Sequence, residues 1–280
     1  MEPPFLLTSM TDSIPDLPLL KQYLFIDECG DPNFYGKRRK PLAGTPGYQP
    51  LLMLGALSTD NRRALRKAIL AFQAEILADS LYNSIYSVSQ PGWFLHARND
   101  HPEVRARFFD FLRRLPDFTI SVVIARKKPA IFAQKHHNNP TEFYYDLVHH
   151  LLRRRLAPQP EWPQHIYLAQ RGKENVDRFQ RAVQQAFYHD VATLMGDGAM
   201  PICQTLLSKT CPELSVVDYC LWALQRYLLQ GEIRFFAALE AKFDLIIDLY
   251  DDAPRMGDGR YTQANPFRVE KCSPFEQVVQ

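Results

Sequence analysis

Tyr23-Leu24-Phe25-Ile26-Asp27-Glu28-Cys29-Gly30-Asp31 decides the fold of this chain. Its first four residues are apolar on both alternating faces, the pattern of a strand covered on both sides inside a sheet. The strand stops at Asp27, and three carboxylates follow within five residues. In sheets flanked by helices, ligand and catalytic groups gather at the carboxyl ends of strands. Crowded carboxylates repel unless a proton or a cation joins them, and a hard divalent ion, Mg²⁺ or Mn²⁺, takes the oxygen ligands that Asp27, Glu28 and Asp31 offer. A plain polar turn accounts for the same residues, because Asp and Gly are turn formers and Asp31-Pro32-Asn33 favours a turn by itself. Strand alternation sends Asp27 and Glu28 to opposite faces, so only one of them faces a given ion unless the strand twists.

Upstream, residues 1–21 carry Glu2, Asp12 and Asp16 and no basic residue before Lys21, the reverse of a signal peptide, and read as a flexible lead-in. Downstream, the basic stretch Lys37–Pro50 suits a hairpin or exposed loop, and Leu51–Leu57 a second buried strand. Asp60 caps an amphipathic helix from Asn61 to Ala78. Phe94-Leu95-His96-Ala97 is a short strand-like island, and Asp100 with Glu103 forms a capping box for a helix to Leu115. Thr119–Ala125, His165–Ala169 and Ile202–Leu207 read as further strands. Asn139-Pro140-Thr141-Glu142 launches a helix to about Leu156, Asn175–Tyr188 is another, and Ser215–Gln230 ends at Gly231. Phe235–Leu249 holds a short helix. The alternation gives an α/β layered domain with a partly parallel sheet. That domain spans residues 22–234, and residues 235–280 form a C-terminal extension packed on it.

Composition excludes several classes. The 280 residues include 33 Lys and Arg against 31 Asp and Glu, a net charge of +2, so no polybasic footprint exists and nucleic-acid affinity must come from local patches. Five cysteines, an odd number without a Cys-x-x-Cys pair, argue against a disulfide framework or a zinc ribbon and for a reducing, cytoplasmic setting. The longest apolar run, Leu51–Leu57, falls far short of the ~20 residues that cross a bilayer, so no membrane is involved. Gly-x-x-x-x-Gly-Lys, Gly-x-Gly-x-x-Gly and Gly-x-Ser-x-Gly are all missing from the 280 residues, against a P-loop, dinucleotide or α/β-hydrolase site. An aspartyl-phosphate phosphatase needs a second Asp where Cys29 stands.

Two blocks carry a resemblance. Phe25-Ile26-Asp27-Glu28-Cys29-Gly30-Asp31 is similar to the Asp-Glu-Ser-Gly-Asp opening of the bacterial domain-of-unknown-function family 3800, with cysteine in place of serine. Ser208-Lys209, Pro212 and Val217-Asp218-Tyr219, continuing through Ala223, Arg226, Gly231 and Glu232, resemble that family's second block. The resemblance covers Tyr23 to Arg234 and implies a ribonuclease-H-like mixed five-stranded sheet flanked by helices. It further implies a nuclease acting on DNA or RNA, in bacterial defence or a mobile element, with two divalent ions held by carboxylates. Asp27 would bridge them, Glu28 or Asp31 would complete its side, and Asp218 would approach from the last helix. His96, in a block that loosely resembles a family motif, would orient water or donate a proton.

Each of these has a plainer account. Ser215-Val216-Val217-Asp218 is a capping box in its own right, and His96 fits a satisfied strand histidine. Ribonuclease-H-like enzymes usually carry another acid on a later strand, whereas this chain reads Leu168-Ala169-Gln170-Arg171-Gly172-Lys173 there. Either Lys173 or Arg171 takes an electrostatic role, Glu174 substitutes, or the site is one-metal or inactive. The inactive alternative is a scaffold that binds nucleic acid or a protein partner. Lys37-Arg38-Arg39-Lys40, directly after the acids, is placed to track a phosphate backbone. Arg62 to Lys67, Arg126-Lys127-Lys128 and Arg153-Arg154-Arg155 fit solvated surface or helix-end charge. His136-His137 and His149-His150 lack partner acids at ligand spacing.

Overall fold

In the computed structural model, which describes residues 21–153, 155–156, 163–170, 176–194, 200–251 and 257–275, β1 (Tyr23–Gly30) runs past its apolar stretch. Asp27 to Gly30 stay laddered to Gly55 to Leu52 of β2 (Leu51–Thr59), its antiparallel neighbour. On its other side β1 pairs in parallel with β4 (His165–Ala169), but only from Tyr23 to Ile26. The acidic half of β1 therefore projects beyond its pairing with β4. β2 is buried over its whole length, as befits a central strand covered on both faces.

The sheet has seven strands, not five, in the order β5 (Ile202–Leu206), β4, β1, β2, β3 (Thr119–Arg126), β6 (Phe243–Leu249), β7 (Arg260–Thr262). β3 runs antiparallel to β2, and β5 runs parallel to β4. The two added strands come from the C-terminal segment. β6 lies parallel to β3, and β7 closes antiparallel on β6. The short helix expected over Phe235–Leu249 is in fact α7 (Ile233–Leu239) followed by β6. Leu245-Ile246-Ile247 has the β-branched content of a strand, and pairing with β3 overrides the helical reading.

Helices cover both faces. On one side α1 (Arg62–Ala78), α2 (Pro102–Arg114), α6 (Pro212–Gln230) and α7 pack on the odd-numbered side chains of β1 and β2, such as Phe25, Met53 and Leu57. On the other, α3 (Pro129–His136), α4 (Pro140–Leu152) and α5 (Val176–Leu194) pack on Leu24, Ile26, Leu52 and Leu54. Helix starts shift where the true cap lies elsewhere. Asn61, not Asp60, caps α1 by accepting the Ala64 amide at 3.0 Å, and Pro212 begins α6 one turn before Ser215. α6 ends at Gly231, whose φ of 70° closes the helix in the left-handed region. The lead-in residues 1–20 lie outside the described residues.

Candidate active site at the carboxyl end of β1

Asp27 is on the α6 face of β1, directly across the ladder from Gly55. α6 crosses at this point because Gly55 has no side chain: a Cβ there would meet Leu221 Cδ2 at 3.0 Å and Val217 Cγ1 at 3.1 Å. The close approach of helix to sheet brings Asp218, the residue after Val217, into the same cavity as Asp27. Asp218 lies in the second turn of α6, so it does not answer a cap at Ser215. The N-terminus of α6 is held by Glu213, fully buried, which accepts from Arg62 Nε at 3.2 Å and Arg66 at 3.3 Å. An acid in the first turn also complements the helix dipole.

Phe94 to Ala97 form no strand. The segment is instead tied to α6 by Asp100, which stands just before the true cap of α2, His101. The buried Asp100 carboxylate accepts the Trp93 indole N–H at 2.9 Å, the His96 amide at 2.8 Å and the Tyr219 hydroxyl at 2.6 Å. Thus anchored, Ala97 donates its amide to Asp218 Oδ2 at 2.7 Å, and His96 Nδ1 stands 3.7 Å from the same oxygen. That nitrogen is shielded from solvent and makes no hydrogen bond. By its spacing to Glu103, Asp100 reads as a capping residue, and nothing in that spacing marks it as the tie between this loop and α6.

The cavity measures about 720 Å³ and is lined by the end of β1, His96, Gln170 after β4, Ser208 after β5, and Asp218 with Trp222 on α6. Gln49 and Gln225, neither singled out by the sequence, join across one end at 2.9 Å. Burial, followed by the charges of Glu28 and Asp218, holds the Asp27 carboxyl well above the usual carboxylate range. Burial raises Asp218 too, opposed by His96 and the Ala97 amide. The Cys29 thiol is pushed up by burial and then by Asp218 and Asp27. Glu28 turns to the opposite face, where its Oε2 accepts the Tyr144 hydroxyl at 3.3 Å. Asp31 lines the cavity mouth with its Oδ1 engaged in a local turn, accepting the Asn33 amide at 2.8 Å and Asn33 Nδ2 at 2.6 Å. Lys173, Arg171 and Glu174 lie outside the described residues.

The donor set suits one hard divalent ion better than two. Asp27 and Asp218 share a cavity and repel across it, while Ala169 and Gln170 add no carboxylate. Among the described residues, no group of three or more His, Cys, Asp or Glu forms a ready cage. Mg²⁺ characteristically keeps several waters and binds through one or two carboxylates plus substrate phosphates. No helix among the described residues is long and apolar enough to cross a membrane.

No family model matches the chain, and no curated protein does. Among solved structures it is similar to the crystal structure of ribonuclease H2 from Pyrococcus horikoshii OT3, with a TM-score of 0.39 and 14% identity, covering 79% of this chain and 76% of that chain.

Proposed function

We propose that this chain is a ribonuclease-H-like, Mg²⁺- or Mn²⁺-dependent phosphodiesterase that cleaves nucleic acid, in bacterial defence or a mobile element. The observation that carries the reading is the pair of carboxylates, Asp27 from β1 and Asp218 from α6, facing one open cavity with His96 beside them. Two buried acids set against each other are costly without a cation, and the cavity they share measures about 720 Å³. The resemblance of both blocks to domain-of-unknown-function family 3800 supports the same reading, including membership of that family.

Asp27 and Asp218 would hold the ion, with Asp31 at the cavity mouth and the Glu28 carboxylate turned away to Tyr144. When bound, the ion lowers the pKa of a coordinated water and neutralises charge on the phosphodiester oxygens. The Ala97 amide fixes one oxygen of Asp218, leaving that carboxylate little freedom to swing. His96 lines the cavity with its Nδ1 3.7 Å from Asp218 Oδ2, where it would steady that carboxylate. Gln170, in the position where a further acid is expected, favours a second reading: a scaffold that binds nucleic acid or a protein partner without cutting.

The test is cleavage of labelled single- and double-stranded DNA and RNA by the purified protein with Mg²⁺, Mn²⁺ or chelator, beside Asp27→Ala and Asp218→Ala. Metal-dependent cutting lost in both variants upholds the phosphodiesterase. Binding without cutting, retained in both variants, overturns it in favour of the scaffold.

A further inference from the structure

The connection from β1 to β2 carries four cations in a row on a strained backbone. Lys37, Arg38, Arg39 and Lys40 are all exposed, and none of their side chains has a hydrogen-bond or ion-pair partner among the described residues. Residues 32–59 contain no acid that could neutralise them. Arg38 and Arg39 both sit in the left-handed region, at φ of 57° and 55°, a conformation ordinarily left to glycine or asparagine. Strain and like-charge crowding thus coincide at one tip, and nothing within the loop offsets either.

The tip is held in place. Gly36 donates its amide to Lys40 O at 2.8 Å, and Leu42 donates to Phe34 O at 3.0 Å. Phe34 is buried, stacked on Phe132 of α3 at 3.9 Å between ring centroids and set edge-on to Phe143 of α4 at 5.2 Å. Strain held by such surroundings is a marker of functional segments. Both feet of the loop reach the cavity: Asp31 on one side, Gly47 and Gln49 on the other.

We propose that this hairpin is the docking site for the phosphodiester backbone of a nucleic acid, presenting the strand to the cavity between Asp27 and Asp218. The inference rests on the phosphodiesterase reading for its substrate class. A polyanion with regularly spaced phosphates neutralises adjacent cations together. An anionic membrane fits less well, because the tip offers no exposed aromatic or long aliphatic side chain to insert.

The experiment measures binding of fluorescein-labelled oligonucleotides by anisotropy, in chelator so that no cutting is needed, over a series of KCl concentrations. Arg38→Gly/Arg39→Gly is compared with Arg63→Ser/Lys67→Ser, an equal loss of charge on the exposed side of α1. The hairpin variant is expected to bind roughly tenfold more weakly at about 0.1 M salt. Its slope of log K against log [KCl] should be shallower by about 1.4 for single strands or about 1.8 for duplex, with a Tm at or above wild type because glycine relieves the left-handed positions. The α1 variant should change the slope by less than half as much. Equal effects from the two variants, or loss of binding to phosphatidylserine vesicles with an unchanged oligonucleotide slope, overturns the proposal. Binding that depends on the hairpin in a protein that never cuts sinks the phosphodiesterase and leaves the hairpin standing. Cutting that survives with unaltered binding in the variant does the reverse.

Discussion

Asp218 accepts the backbone amide of Ala97 at 2.7 Å, joining residues 121 apart in the chain. A charge-assisted bond to a backbone donor is both stronger and more directional than a bond to a mobile side chain. The loop bearing His96 and the helix bearing Asp218 are consequently one mechanical unit, and a disturbance of either is felt by the other.

Gly55→Ala tests how tightly that unit sits on the sheet. The new methyl group would stand 3.0 Å from Leu221 and 3.1 Å from Val217, so these α6 side chains must give by a few tenths of an ångström, and a helix that moves with them carries Asp218 along. Overpacking of this kind costs about 1–3 kcal/mol. Chemical denaturation should show that loss, and cleavage should fall at least tenfold at a temperature where the variant is still folded. An unimpaired rate in the folded variant would mean that the position of α6 does not matter to the chemistry.

Asp100 is the tie, and its removal should be felt twice. Asp100→Ala strands three buried or half-buried donors, at about 1–3 kcal/mol for each group left unsatisfied. Tyr219→Phe deletes one partner and should cost about 1 kcal/mol. A double-mutant cycle between Asp100→Asn and Tyr219→Phe should show coupling of about 1 kcal/mol. Additive effects would show that the 2.6 Å bond contributes little.

Asp27→Asn separates charge from shape. The folded state holds the Asp27 and Asp218 carboxyls above the ordinary 3.8, so it binds protons that the unfolded chain releases. Their contribution to stability is complete below 3.8 and is lost as pH rises through the raised folded values. Asp27→Asn should flatten that loss and raise the Tm at pH 7 in metal-free buffer. Millimolar Mg²⁺ or Mn²⁺ should raise the wild-type Tm by ligand linkage and leave the variant unmoved. Cleavage should drop by more than 100-fold, since even partners beyond the direct ligands cost 10–100-fold. Equal metal responses in the two proteins would remove Asp27 from the site.

A separate pH effect belongs to the opposite face. Asp146 of α4 gathers Lys135 at 2.7 Å, His136 at 3.2 Å and the Tyr250 hydroxyl at 2.6 Å, with His150 3.6 Å away. Burial pulls the His150 pKa from 6.5 down to about 4. The folded protein keeps His150 neutral where the unfolded chain protonates it. Its contribution is therefore complete above pH 6.5 and is lost as pH falls from there through about 4, with an upper bound of about 3 kcal/mol. Urea titrations at pH 7, 5.5 and 4.5 should show the decline, and His150→Gln should weaken it. The same slope in wild type and variant would place the transition elsewhere.

Much of the sheet was legible because its strands are apolar runs bounded by Pro, Gly and charge. Tyr23–Ile26, Leu51–Leu57, Thr119–Ala125 and His165–Ala169 all fall inside strands of the fold. β6 was not, because Phe243–Leu249 follows a helical segment without a turn signal and is a strand only by virtue of its pairing with β3. The β1 acids are local and could be read as a unit; the Asp100 tie and the Gln49–Gln225 contact bring together residues 119 and 176 positions apart, which no spacing rule reveals. Asp218 shows the converse difficulty. A capping box at Ser215 is a sound local rule, and it fails because Pro212, with its fixed φ, is the better first residue for the helix.

The crossing of α6 over β1 also sets a timetable. Asp218 follows Asp27 by 218 − 27 = 191 residues, so a growing chain holds the first carboxylate alone until α6 emerges. Early pairing of β1 with β2 meets no opposing charge from α6, and the repulsive pair closes only once β1 to β5 have been made, with β6 and β7 still to follow. A chain cut short before Asp218 would have the acids of β1 and no counterpart to face them, so any capacity that needs both waits for α6.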